Sequence, residues 1–108
     1  MNLPKSIKVG GQIYTVKKKG NCDGVSLPED MVSEPIENAE SVIDYRNNTI
    51  SIRKDIPKGT YLESVFLHEI CHALFEHCAL ENTEENVQKF SNALQMFIFD
   101  NPKVLRWS

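Results

Sequence analysis

Two histidines four residues apart, His68 and His72, with Glu69 directly after the first, are the residues of this chain best suited to chemistry. On an α-helix, residues i and i+4 stack about 6 Å apart along the axis, so two imidazoles can converge on one metal ion. Half of a tetrahedral zinc site is then in place. Glu69, beside the first ligand, can take a proton from a water that zinc has acidified toward a pKa of about 7. His-Glu-x-x-His is therefore a compact unit supplying two metal ligands and a base for hydrolysis.

Such a site needs a third protein ligand. Glu76 continues the His68/His72 stripe but lies about 12 Å along the axis from His68, too far for one ion. His77, five residues after His72, points about 140° away on an unbroken helix and reads as a surface or supporting histidine. Cys78 stands where the pattern H-E-x-x-H-x-x-G-x-x-H places a third histidine, but Phe75 replaces the chain-breaking glycine, so Cys78 cannot fold back. Cys71, inside the motif, reads as a buried, inert thiol. The remaining candidates are carboxylates at the start of a following helix, namely Glu81, Glu84 and Glu85. With Val87, Phe90, Leu94, Phe97 and Ile98 turned toward the first helix, Glu84 lies about 90° from the centre of that face, against about 170° for Glu85 and about 150° for Glu81. Glu84 is thus the favoured third metal ligand, with Glu85 the alternative one residue on.

The elements that must hold these residues are legible nearby. Thr60-Tyr61-Leu62-Glu63 reads as a capping box. The apolar positions Leu62, Val65, Phe66, Ile70, Ala73, Leu74 and Phe75 carry a helix from residue 60 to about 78. A second helix is expected over 84–99, ended by Asp100-Asn101-Pro102. Upstream, alternating apolar and polar residues flank Gly10-Gly11 and again Asn47-Asn48, the mark of two β-hairpins. Ile43 and Tyr45 are expected on one face of the second hairpin. Residues 25–40 read as a loop, and the tail 103–108 as a segment able to dock Leu105 and Trp107.

Composition bounds the function classes. A chain of 108 residues with 41% hydrophobic and 25% charged residues suits one compact domain over residues 1–108. The net charge of −3 and the scattered Lys and Arg lack the footprint of a nucleic-acid binder, and Lys17-Lys18-Lys19 reads as a solvated strand end. No apolar run approaches a membrane span, and the N-terminus has no secretory apolar core, so a cytoplasmic location is expected. Three cysteines in such a chain are expected as reduced thiols.

HEICHALFEH resembles the HExxHxxxxH signature of ImmA/IrrE-type zinc metallopeptidases, and EENVQKFS is similar to that family's E-x-x-A-x-x-F-A segment. The strand NTISIRKDI ahead of the motif helix and the ending DNP also resemble small phage and prophage members, over roughly residues 41–102. The resemblance implies Glu84 at the third ligand position and cleavage of a cytosolic protein substrate. The combined expectation is an α+β, minimal zincin-like domain: a small antiparallel sheet of two hairpins packed on two helices. Zn²⁺ is held by His68, His72 and Glu84, and Glu69 is the catalytic base. Its partner is a protein or peptide, with no nucleic acid and no membrane. The rival expectation is a phage-encoded binding or regulatory protein on a catalytically idle scaffold of the same type.

Overall fold

The computed structural model describes residues 3–20 and 40–103. Four strands and two helices follow in the order β1 (Ser6–Val9), β2 (Gln12–Lys19), β3 (Ser41–Asp44), β4 (Thr49–Arg53), α1 (Thr60–His77) and α2 (Glu84–Asp100). The expected loop over 25–40, apart from Glu40, and the docking of Leu105 and Trp107 lie outside the described residues, as does Cys22.

Both hairpins form where their turn residues place them. Gly10 and Gly11 take φ of 57° and 82°, the pair of positive values that a two-residue turn matching strand twist demands. In the second hairpin the Asp44 carboxylate accepts the backbone N–H of Arg46 at 3.0 Å and of Asn47 at 3.3 Å. This Asx turn ends β3 early, and Asn48 at φ 48° closes the reversal. Tyr45 consequently sits in the turn rather than on the strand face expected for it.

The sheet is mixed, which corrects the expectation of an all-antiparallel one. Its order is β1-β2-β4-β3, with β2 and β4 parallel from Thr15↔Thr49 to Lys19↔Arg53. The hairpins are local and follow their turns, whereas the pairing between them is set by burial. Ile50 and Ile52 are fully buried, so β4 takes an interior position beside Val16 of β2 and leaves β3 at the edge. The connection through residues 20–48 exceeds the dozen or so residues that a parallel pair requires.

Helix α1 is the middle layer. Toward the sheet, Leu62, Val65, Phe66 and Ala73 join Val9, Tyr14, Ile50, Ile52 and Ile56 in one apolar cluster. Toward α2, Cys71 and Phe75 meet Val87, with Leu67 and Leu94 alongside. Burial on two sides explains why apolar residues surround most of this helix. Its start departs from expectation in one detail. Gly59 is the N-cap and Thr60 is already helical, so the Thr60/Glu63 capping box does not form.

The end of α1 matters for the site. Leu80 N–H bonds the Phe75 carbonyl at 2.9 Å and Ala79 N–H the Glu76 carbonyl at 3.5 Å, with Ala79 left-handed at φ 56°. This is a Schellman closure with alanine in the position glycine usually holds. It reverses the chain so that residues 80–83 run back beside the helix. Thr83 then caps α2, accepting the Asn86 N–H at 3.1 Å. Among the described residues helix α2 packs on α1 and on no strand, so Val87 and Ser91 are buried while Phe90 and Phe97, expected on the inner face, are about half exposed. No helix among the described residues is long and apolar enough to cross a membrane.

Candidate metal centre

His68 and His72 lie one turn apart on α1, in the stretch facing both β3 and the start of α2. Their rings meet edge to face with centroids 4.7 Å apart, and their Nε2 atoms approach to 3.1 Å. Glu84, the first residue of α2, completes a triangle: Oε1 lies 2.8 Å from His72 Nε2 and Oε2 lies 3.1 Å from His68 Nε2. Its side chain is 80% exposed, so burial does not hold it there; the two imidazoles do.

Hydrogen-bond directions around Asn82 fix how His72 faces the triangle. Asn82 Nδ2 donates to Tyr45 Oη at 2.9 Å and to Glu76 Oε2 at 3.0 Å, and a carboxylate only accepts. The amide oxygen therefore faces His72 Nδ1, at 2.6 Å, and His72 must donate from Nδ1. For the neutral ring, Nε2 is then a lone pair, aimed at a carboxylate oxygen and at a second imidazole. His68 faces the triangle through the same atom, while its Nδ1 is buried and meets no partner among the described residues, so nothing there fixes which nitrogen carries its proton. Acceptors held at 2.8 to 3.1 Å repel unless a shared proton or a cation sits among them. Tetrahedral zinc with bonds of 2.0–2.1 Å spaces its ligands about 3.3 Å apart, so the triangle needs to open by only a few tenths of an ångström. Two histidine nitrogens and a carboxylate also match zinc's preferred donors.

Glu69 sits next to these atoms but plays another part. His68, Glu69 and His72 can each bring one ligand atom within 4.8 Å of the others. Yet the Glu69 carboxylate is 5% exposed and its Oε1 accepts the Ser41 hydroxyl at 2.9 Å. Burial pushes its pKa up to about 7, against the lowering effects of His72 and of the Ser41 bond. A buried carboxylate tuned toward neutrality, beside rather than inside the triangle, suits proton transfer better than ligation. Burial also lowers the His68 pKa, with His72 adding to the effect and Glu84 opposing it.

The other acidic and sulfur candidates fall away on position. Glu85 pairs with Lys89 at 2.9 Å, Glu81 reaches Asn86, and Glu76 holds Asn82. His77 is on the far side of α1, where its Nε2 meets the Tyr14 hydroxyl at 3.1 Å. Cys71 is fully buried with its pKa raised to about 11 by burial, and Cys78 is an exposed residue at the helix end.

A cleft of about 650 Å³ opens above the triangle, lined by Ser41, Val42 and Ile43 of the edge strand and by Tyr45, Tyr61, His68, Glu69, His72 and Glu84. At its rim Tyr61 Oη donates to Glu40. Ser41 and Asn82 join the site through the fold alone. Serine and asparagine here carry no spacing that marks them, while Tyr45, Tyr61 and His77 are all open from the sequence as donors to an oxyanion. Comparison of the chain with protein-family models, with curated proteins and with solved structures found no match in any of the three.

Proposed function

We propose that this chain is a zinc-dependent metallopeptidase of the ImmA/IrrE type, acting in the cytoplasm on a protein or peptide. The observation that carries this reading is the convergence of His68 Nε2, His72 Nε2 and a Glu84 carboxylate at 2.8 to 3.1 Å beside a buried carboxylic acid. Zinc held by these three residues supplies Lewis-acid activation of a carbonyl and of water.

The residues of the chain do the rest. Ser41 fixes Glu69 through Oε1, so Oε2 is the oxygen that takes the proton from the attacking water and passes it to the leaving amine. A pKa near neutrality makes both transfers accessible. Strand β3 is the sheet edge and lines the cleft, so its outward backbone groups can pair with an extended peptide and lay it across the three ligands. Tyr61 lines the same cleft and can reach the developing oxyanion by turning its hydroxyl from Glu40, whereas Tyr45 gives its proton to the His72 carbonyl and His77 is bonded to Tyr14 outside the cleft.

The test uses the zinc-loaded chain on a labelled unfolded protein such as casein. Glu69→Gln retains zinc and loses about 10²–10⁴-fold in rate, the range expected when a general base is removed. No hydrolysis by the zinc-loaded wild type, or function in the host unaffected by Glu69→Gln, favours a catalytically idle binding scaffold instead, and hydrolysis by Glu69→Gln at the wild-type rate removes Glu69 from the base role.

A further inference from the structure

We infer that Asn82 is the residue that sets the ligand state of His72, and with it the metal affinity of the site; this rests on the zinc reading above. Asn82 belongs to the short connection between the helices, brought there by the Schellman reversal at Ala79. Its side chain makes three contacts, and together they leave it a single orientation. Tyr45 donates its own proton to the His72 carbonyl at 3.3 Å, so its oxygen is left to accept from Asn82 Nδ2. Glu76 Oε2 accepts the second amide proton. Both contacts require the nitrogen on their side, which puts the amide oxygen on His72 Nδ1 at 2.6 Å.

The consequence runs outward in one direction. Glu76 and Tyr45 orient Asn82, Asn82 keeps the His72 proton on Nδ1, and Nε2 is presented as a free donor to a cation, with the ring already turned toward Glu84. His68 has no such support, since its Nδ1 is buried without a partner among the described residues. The site is therefore asymmetric: one imidazole is prepared in advance by a partner on its remote nitrogen, and the other has none there among the described residues. Partners of this kind change metal affinity by about 10- to 100-fold without touching the ion. Because Asn82 lies two residues before Glu84, the same connection delivers both the third ligand and the residue that readies the second.

Chelator competition on the full zinc-loaded chain tests this, with circular dichroism confirming that each variant is folded. Asn82→Ala is expected to weaken zinc binding by about 10- to 100-fold. Asn82→Asp keeps the oxygen that faces His72 but loses both donors and sets a second carboxylate against Glu76. It is expected to hold zinc within about threefold of wild type, or more tightly, because a carboxylate partner makes the imidazole a better ligand. Long-range ¹H–¹⁵N spectra of the loaded wild type place the His72 proton on Nδ1. The inference is overturned if Asn82→Ala binds zinc like wild type, or if Asn82→Asp loses as much affinity as Asn82→Ala, which would make the Tyr45 and Glu76 bonds the operative ones. A wild-type chain that binds no zinc overturns the metal reading itself, and this inference with it.

Discussion

The Ser41 hydroxyl donates to Glu69 Oε1 at 2.9 Å, joining the first residue of the edge strand to the buried acid at the centre of α1. Twenty-eight positions separate them in the chain, so the bond exists only because β3 pairs with β4 in the register Ser41↔Ile52. Ser41→Ala leaves a buried carboxylate without its donor. We expect proteolysis to fall with KM little changed and zinc content intact, and Ser41→Thr to recover most of the loss. A wild-type rate for Ser41→Ala would show that Glu69 does not depend on this bond for its orientation.

The same acid makes the metal-free chain sensitive to pH. Its folded pKa of about 7 lies above the ordinary value of 4.5, so the folded state holds the proton more tightly than the unfolded chain does. Stability from this group is therefore present at low pH and lost as pH rises from about 4.5 to 7. His68, with its pKa lowered, acts in the opposite sense, favouring the fold as pH rises toward 6.5. Thermal melts of the metal-free wild type and of Glu69→Gln separate the two: the melting temperature of the variant relative to wild type should rise across that window. A constant difference between them would mean that Glu69 titrates normally.

Ala79 offers a stabilising change away from the site chemistry. It sits at φ 56°, where a Cβ costs about 1 kcal/mol and glycine costs nothing sterically. Ala79→Gly should raise stability by about 0.5–1 kcal/mol in denaturant unfolding, after glycine's larger loss of chain entropy. A loss of stability would contradict the left-handed closure of α1.

Gly10 should behave in the opposite way. It has φ 57°, and a Cβ there would lie 2.7 Å from Cγ and 2.8 Å from Nδ1 of His77, too close unless the ring or the hairpin shifts. Gly10→Ala is expected to cost about 1–3 kcal/mol, combining backbone strain with the clash. In a double-mutant cycle with His77→Ala the two changes should be non-additive, because truncating His77 removes the clash. Simple additivity would place the hairpin elsewhere.

Much of this arrangement could be read from residue order, because it is local. Turn glycines at 10 and 11, the apolar positions of α1, the i, i+4 spacing of His68 and His72, and the angle of Glu84 on α2 each involve a few neighbouring residues. What escaped was non-local or overridden by a neighbour. The parallel pairing of β2 with β4 depends on which strand is most completely buried, not on any turn. The Thr60/Glu63 capping box gave way to Gly59, which starts the helix one residue earlier. Phe90 and Phe97 follow the helical period of an inner face, but among the described residues α2 packs on α1 alone, and one helix covers a narrower stripe than the sequence offers. Ser41 and Asn82 are single polar residues whose meaning appears only once the sheet register and the reversal after α1 bring them to Glu69 and His72.

The most direct test of the central claim is the zinc content and affinity of the purified chain beside its His72→Ala, Glu84→Ala and Glu85→Ala variants. The geometry predicts about one zinc ion per wild-type chain, loss or severe weakening of binding in His72→Ala and Glu84→Ala, and unchanged binding in Glu85→Ala, whose carboxylate is engaged with Lys89. A wild-type chain that takes up no zinc, or a Glu84→Ala variant that binds it as tightly as wild type, would contradict the account.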